Sequence, residues 1–448
     1  MPAAITRRAT LAKEIQMERT FQPTVKTTQE LNNLQLAGLK WTVTHAYNGS
    51  PHYRARFDAA GVKPTDIQTL EDIQKLPFVS SKDLQEGYPF PLRSVPFKDI
   101  VRIHASSGTT GKRKILCYTA KDIDDWAEMF ARCYAYADCT AEDRIQIAVG
   151  YGVWTAGWGF QNGCERFGAM AIPAGPGNLD MQCQFLEDFQ TTVLCCTASM
   201  GLLMSEEIDR RGLRGRIALK KMIFGSERAS DSMRARISEL SGVAADQLFD
   251  ITGLTELYGP GTGLDCRHHQ GIHYWADYYI LEILDPETLK PVLPGEVGEM
   301  VVTTLRKEGA PLIRYRTRDL TRIITGTCPC GSIMPRHDRI LGRSDDMFIF
   351  RAVNIYPSHI DQILSQINGV GSEYQVILNR LENGKDSMLI KVERATDVSP
   401  EHDDGPLKKA VEHDIRQQIM VSCDVEVVDY AALPRSERKT KRVFDNRD

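Results

Sequence analysis

The chain predicts an α/β fold in unequal parts: a large N-terminal domain of α/β sheets with a small β-rich subdomain, then a small C-terminal α+β domain. Three observations predict it. At 448 residues the chain exceeds what one hydrophobic core ordinarily serves. From about residue 100, short apolar runs alternate with amphipathic stretches, the pattern of strands alternating with helices. The polar segment Gly342-Arg343-Ser344-Asp345-Asp346 then sets off a last hundred or so residues with strand and helix signals of their own.

Composition narrows the class. With 42% hydrophobic and 25% charged residues the chain reads as an ordinary water-facing globular protein. A formal charge of -4 and a pI near 6.2 supply no general attraction to nucleic acid or an anionic membrane. Runs of about 18 apolar residues are absent, which excludes a spanning helix. Arg7, Arg8, Lys13 and Glu14 with no apolar stretch behind them argue against a secretory signal. Eleven cysteines, an odd number, favour free thiols or metal ligands over a disulfide framework, so a reducing cytoplasm is the expected compartment.

Residues 1 to about 100 read as helical and loop-rich. Leu31 to Val43 has helical apolar spacing, and Pro51, Pro64, Pro77, Pro89, Pro91 and Pro96 punctuate the rest. Strands are expected at Ile100–Ile103, Arg144–Val149, Ala169–Ile172, Thr191–Cys196 and Lys221–Phe224. Helices are expected at Met181–Phe189, Met200–Arg210 and Ser230–Leu240. Tyr279–Leu284, the turn Asp285-Pro286-Glu287 and Gly298–Thr303 suggest a hairpin-rich barrel or small sheet. After Asp346 come a strand, Met347–Phe350, a helix, Ser358–Ile367, and two further strand–helix alternations.

One segment stands out chemically. Ser106-Ser107-Gly108-Thr109-Thr110-Gly111-Lys112 follows the first of these strands. Its glycines let backbone N–H groups converge on an anion, its hydroxyls add donors and Lys112 adds charge. The Walker pattern fails, because Ser106 stands where the first glycine belongs and Arg113 follows the lysine. On its own the segment is either a phosphate cradle or a flexible turn.

It is not on its own. Tyr53-Arg54-Ala55-Arg56-Phe57, Leu76-Pro77-Phe78, His104 to Lys112, Gly225-Ser226-Glu227, Gly253-Leu254-Thr255-Glu256, Tyr315-Arg316-Thr317-Arg318-Asp319-Leu320, Gly342 to Asp346 and Arg442 to Arg447 follow in order. With these motifs the chain resembles the adenylate-forming superfamily of acyl-CoA synthetases, adenylation domains and luciferases, and within it the phenylacetate–CoA ligase family. The resemblance covers nearly the whole chain and implies its fold: residues 1-342 as the ATP- and acid-binding domain, 343-346 as a hinge, and 347-448 as a mobile C-terminal domain.

The resemblance also implies roles. Ser106, Ser107, Gly108, Thr109, Thr110, Gly111 and Lys112 would close over the β- and γ-phosphates that leave as pyrophosphate. Ser226 and Glu227, beyond a parallel strand, would line the adenine. In the next strand-end loop, from Asp250 to Glu256, Glu256 would hold Mg²⁺ and Thr255 would donate to the α-phosphate. Thr252 stands where many relatives carry an aromatic. Asp319 would accept from the ribose hydroxyls. Arg343 and Asp345 stand at the joint, with Asp345 as the pivot. Lys439 matches the mobile lysine that stabilises charge during adenylation, although Arg438 replaces the usual glycine and makes Lys441 a rival. Ala352 replaces a glycine that lets the pantetheine arm pass.

Tyr151 and Trp154 mark the acid pocket, with Trp154 where phenylacetate-activating relatives have Phe and Val149 in place of a Tyr. Aromatic walls suit a flat aromatic acid. Cys328-Pro329-Cys330-Gly331 is a C-x-C pair on a glycine turn, with Cys266 and His273 upstream. Its spacing fits none of the usual finger patterns, but some members of the resembled family carry such a set around a structural zinc, with His268 and His269 as competitors for the imidazole.

The function so implied joins an aromatic, arylacetate-like acid to CoA through an acyl-adenylate, using ATP, Mg²⁺ and CoA with a candidate structural zinc. The partners are small molecules, not nucleic acid or membrane, and a homodimer is the expected assembly. The alternatives are adenylation for a carrier protein or another acceptor, adenylylation of a deazaflavin coenzyme, and an inactive nucleotide-binding relative.

Overall fold

A computed structural model describes residues 21–106, 112–227, 229–351, 353–381, 384–395, 403–433 and 442–447. Residues 21–100 include helices α1 (Thr28–Gly49), α2 (Pro51–Ala59) and α3 (Ser81–Glu86). A two-stranded hairpin, β1 (Arg102–Ala105) and β2 (Ile115–Tyr118), follows them. Next come α4 (Ala120–Tyr136), β3 (Arg144–Ile147), α5 (Ala156–Phe167), β4 (Met170–Ile172), α6 (Leu179–Asp188), β5 (Val193–Cys196), α7 (Ala198–Arg210), β6 (Lys221–Phe224), α8 (Asp231–Ser241) and β7 (Leu248–Leu254).

Strands β3 to β7 pair in parallel, in the order β4-β3-β5-β6-β7. Both faces of this sheet are covered, so its strands read as continuous apolar runs rather than as alternation. Successive side chains nonetheless divide between two cores. Cys195, Ile223 and Phe249 pack with Trp126, Phe130 and Phe160 of α4 and α5. Cys196, Phe224 and Leu248 pack with Leu186, Leu202 and Ile237 of α6, α7 and α8. Local signals set the helix ends: Thr197 caps α7 by accepting from Met200 N, and Gly168 and Gly242 close α5 and α8 in the left-handed conformation.

At β7 the sheet changes character. Its other edge pairs antiparallel with β8 (Gly259–Asp265), which continues to β9 (Ile272–Tyr274) and two short strands, β13 (Ile323–Ile324) and β14 (Arg336–His337). The β7–β8 register slips between Thr252 and Gly253, where the two strands crowd together. A Cβ on Gly253 would lie 2.1 Å from the Gly259 carbonyl oxygen, so the crossing demands glycine. The β-rich subdomain is a four-stranded sheet ordered β10 (Tyr279–Leu284), β11 (Gly298–Thr304), β12 (Tyr315–Thr321), β15 (Gly342–Arg343), not a closed barrel.

The C-terminal part has its own core, built from Phe350, Ile360, Val376, Ile390, Val411 and Ile415 among others. Its elements are the hairpin β16 (Phe348–Phe350) and β17 (Val353–Ile355), then α9 (Pro357–Leu364), β18 (Val370–Arg380), β19 (Asp386–Arg394), α10 (Gly405–Ile419), β20 (Asp424–Val428) and β21 (Val443–Asn446). The expected strand–helix alternation is replaced here by the antiparallel pair β18–β19. Gly384, at φ +76°, donates back to the Leu381 carbonyl and turns the chain without a helix between the strands.

All eleven cysteines are free thiols. Among the described residues no helix is long and apolar enough to cross a membrane.

Candidate active site

The hairpin β1–β2 holds the base of the Ser/Thr/Gly loop, with Ser106 N donating to the Lys114 carbonyl at 3.0 Å. Ser107, Gly108, Thr109, Thr110 and Gly111 lie outside the described residues. Strand β1 spans Arg102–Ala105, two residues later than the apolar run Ile100–Ile103 suggests, because Val101 and Ile103 face solvent while His104 is buried. Lys112, at the end of the loop, is exposed, its ammonium 5.4 Å from the Tyr88 ring centroid. The cation that enters the site is Lys114. Its ammonium forms an ion pair with Glu256 Oε1.

Glu256 is buried in the turn between β7 and β8. Burial alone would raise its carboxyl. Lys114, together with the Tyr315 hydroxyl that donates to Oε1 at 3.1 Å, outweighs this and holds the group below its ordinary value. Thr255 sits beside it, its hydroxyl 3.4 Å from that of Thr155. A buried carboxylate already neutralised by an ammonium is a place where a divalent cation can substitute for that ammonium.

Asp319 and Arg343 come together by strand pairing. They stand directly opposite each other on β12 and β15, and Arg343 Nη1 donates to Asp319 Oδ1 at 2.9 Å. The same guanidinium grips Asp345 through Nε and Nη2, at 2.9 and 3.1 Å. Arg343 thus ties the expected ribose acceptor to the expected pivot, which is half-exposed just beyond the large domain's last strand.

The remaining sequence-predicted residues fall in several places. Ser226 follows β6 with φ +68° and is exposed. Glu227 points back to α7, where its Oε2 accepts from Ser199 N and Ser199 Oγ at 3.1 and 2.5 Å. That is the favourable place for an anion at a helix N-terminus. Asp250 is buried against Arg234, 2.6 Å away, and burial raises its carboxyl. Thr252 flanks the register slip, and its carbonyl accepts from the Thr262 hydroxyl. Tyr151 packs edge-on against Trp158, and Trp154 lies under Arg113, 5.0 Å from guanidinium to ring centroid. Ala352, Arg438, Lys439 and Lys441 lie outside the described residues.

The cysteine set gathers on the antiparallel edge. The ligand atoms of Cys266, His273, Cys328 and Cys330 all lie within 4.8 Å of one another. Cys266 Sγ is 3.5 Å from Cys328 Sγ, and Cys330 Sγ is 3.4 Å from His273 Nε2. These are separations that a tetrahedral ion with thiolate and imidazole ligands imposes. His273 Nδ1 lies 2.9 Å from the Met334 carbonyl, which fixes that nitrogen as the donor and leaves Nε2 for a metal. His268 and His269 are not in this group; His269 pairs with Asp265 at 2.8 Å.

Sequence reasoning missed Lys114, Tyr315 as a partner of Glu256, and Lys307. Lys114 stands two residues beyond Lys112 in the same polar run, and only the hairpin shows which lysine turns inward. Tyr315 lies inside a motif singled out for Asp319. Nothing in the local pattern marks Lys307.

Residues 34–305 match the family model of the AMP-binding enzyme, and residues 352–447 match the AMP-binding enzyme C-terminal domain. The chain belongs to the AMP-binding enzyme family. Among curated proteins it is 41% identical over 424 residues to phenylacetate-coenzyme A ligase of Escherichia coli (strain K12), covering 94% of this chain and 95% of that enzyme. It is 39% identical over 438 residues to the enzyme of the same name from Aromatoleum evansii, covering 95% and 97%. Among solved structures it superposes on 2-hydroxyisobutyryl-CoA ligase in the postadenylation state with R3-HIB-AMP. There the TM-score is 0.85 at 27% identity, covering 94% of this chain and 90% of that one. Against the same ligase in its thioesterification state the TM-score is 0.68, at 94% and 91% coverage.

Proposed function

We propose that this chain is an AMP-forming acid–thiol ligase that activates an aromatic, arylacetate-like acid as its acyl-adenylate and passes the acyl group to CoA. The observation that carries the reading is the pairing of buried Glu256 and Tyr315 with the partly buried Lys114, which follows the Ser/Thr/Gly loop in sequence. The acid's carboxylate attacks the α-phosphorus of ATP and pyrophosphate leaves. The CoA thiol then attacks the acyl carbonyl and AMP leaves. In the first step negative charge collects on the leaving phosphates, so the protein must place positive charge there beforehand.

Glu256 is the residue that would hold Mg²⁺, which when bound neutralises phosphate oxygens. Lys114, displaced from Glu256, would be free to meet phosphate. Thr255 donates to the α-phosphate and Asp319 accepts from the ribose. Arg343 holds Asp319 until nucleotide competes for it. Asp345 is the pivot of the hinge 343–346, between the large domain 1–342 and the mobile domain 347–448. The fall in TM-score from 0.85 to 0.68 between two states of one ligase, at matched coverage, supports a small domain standing on the adenylation side in this structure. The Tyr430 hydroxyl donates to Glu206 of α7 across the two domains in that arrangement.

Trp154 supports the aromatic acid. Trp154→Ala is expected to raise KM for the preferred aromatic acid about tenfold, the loss of one aromatic wall, while KM for ATP holds. Steady-state kinetics check this; an equal rise for ATP would place Trp154 in the general core instead. Cys266, His273, Cys328 and Cys330 would hold a structural zinc that pins the antiparallel edge. Protein purified without chelator should carry about one zinc per chain, and Cys328→Ser should bring it below about half an equivalent by elemental analysis. An unmodified chain already below half an equivalent would remove the metal from the account.

A panel of aromatic and aliphatic acids, assayed for ATP–pyrophosphate exchange and for AMP release with and without CoA, tests the function as a whole. Exchange with aromatic acids and CoA-dependent AMP release are expected. No exchange with any acid would overturn adenylation, and AMP release indifferent to CoA would overturn the acceptor.

A further inference from the structure

Lys307, between β11 and β12, takes no part in the chemistry above, yet its placement is costly. The residue is completely buried. Its ammonium has Asp122 and Glu256 as neighbours in charge but, among the described residues, makes no direct bond to an acid. It donates instead to the backbone carbonyls of Glu256 and Leu257, at 3.0 and 2.5 Å. It also faces the rings of Tyr118 and Tyr258, 4.7 and 5.0 Å from their centroids. Burial lowers its pKa to about 8, against the opposing pull of Asp122, Cys117 and Glu256. A cation buried without a carboxylate partner is expensive, and such groups gather where function requires them.

The carbonyls it grips belong to a segment that no regular pairing holds. The β7–β8 register slips at Thr252 and Gly253, and residues 255–258 form the turn between the two strands. A second buried donor reaches the same turn: the Tyr118 hydroxyl lies 2.8 Å from the Tyr258 carbonyl and 3.1 Å from that of Thr255. Lys307 and Tyr118 between them therefore address four consecutive carbonyls, those of residues 255 to 258. The turn that carries the Glu256 carboxylate is fixed from behind by two side chains outside it.

We infer that Lys307 is a positioning residue for adenylation: its hold on the Glu256 and Leu257 carbonyls sets the backbone from which Glu256 presents its carboxylate to the divalent cation. This rests on the reading of Glu256 as the Mg²⁺ carboxylate. Lys307 itself meets neither nucleotide nor acid. Removing its ammonium leaves two buried carbonyls short of a donor, and they will find other partners only by moving the turn. Supports of this kind behind a metal ligand are worth about 10- to 100-fold in metal affinity.

The test uses the full chain carrying Lys307→Met, Tyr118→Phe or Glu256→Gln. Each variant is assayed for the Mg²⁺ concentration that half-saturates acid-driven ATP–pyrophosphate exchange. Each is also assayed for thioester formation from CoA and a supplied synthetic acyl-adenylate, a half-reaction that releases no pyrophosphate. Lys307→Met is expected to raise the Mg²⁺ requirement about tenfold or more, Tyr118→Phe to raise it less, and both to keep the thioester half-reaction within about twofold of the parent. Equal losses in both half-reactions, or an unchanged Mg²⁺ requirement, would overturn the inference. If Lys307→Met does not fold, the nearly isosteric Tyr118→Phe decides by the same readout. If Glu256→Gln leaves the Mg²⁺ requirement unchanged, the metal-carboxylate reading falls and the inference with it. If Glu256→Gln raises it while Lys307→Met and Tyr118→Phe do not, the inference falls alone.

Discussion

Glu256→Gln is expected to lower acyl-adenylate formation by about 10²- to 10³-fold while leaving the chain folded, the scale of losing one preorganised charged contact in a water-poor site. Glutamine keeps the shape and an acceptor for the Tyr315 hydroxyl, which lies 3.1 Å from the carboxylate, so local packing is disturbed little. What disappears is the negative charge that Lys114 neutralises in this structure and that a divalent cation would meet in its place. The parent carboxyl is held below its ordinary value, so it is ionised throughout the neutral range and the deficit of the variant will not be repaired by raising pH. Pyrophosphate exchange at saturating acid and ATP, measured from pH 6 to 9, checks this. Exchange within about threefold of the parent would show that Glu256 pairs with Lys114 only to bury both.

The structure explains why some of this was legible in the sequence and some was not. Strand β6 coincides with the run Lys221–Phe224, and α7 begins two residues before the expected Met200, at a threonine cap. Such elements declare themselves because both faces of a parallel strand are apolar and because a capping residue is a local signal. Elements that depend on pairing at a distance do not. The β18–β19 pair is disguised by polar residues along its length, and nothing short of the turn at Gly384 separates it from a helix. The same holds in the site. Glu256, Asp319 and Arg343 stand in motifs, but the bond joining Arg343 to Asp319 comes from a register between strands 24 residues apart in sequence. Lys114 was passed over for Lys112 because the choice between two lysines is made by the direction of a hairpin strand, which composition does not record.

Lys439→Ala is expected to cut adenylation by about 10²-fold or more, and to leave thioester formation from a supplied acyl-adenylate close to that of the parent. Residues 434–441, which include Lys439, lie outside the described chain, but both flanks are anchored to the small domain. Leu433 N donates to Glu393 Oε1 at 2.8 Å. On the other side the Arg442 carbonyl accepts from Val376 N at 2.8 Å, while its guanidinium donates to Glu373 Oε2 at 2.5 Å and stacks on the Tyr374 ring. A lysine tethered at both ends to the small domain goes where that domain goes. Under the proposed hinge it would serve the first half-reaction when the domain stands on the adenylation side and would leave when the domain turns about Asp345. That coupling is why one substitution should divide the two half-reactions, whereas damage to the shared acid pocket would lower both. The control is Lys441→Ala, two residues on and equally charged. Adenylation lost in Lys441→Ala and kept in Lys439→Ala would transfer the role to Lys441, and adenylation kept in both would leave the developing charge to Lys114 and the phosphate loop alone.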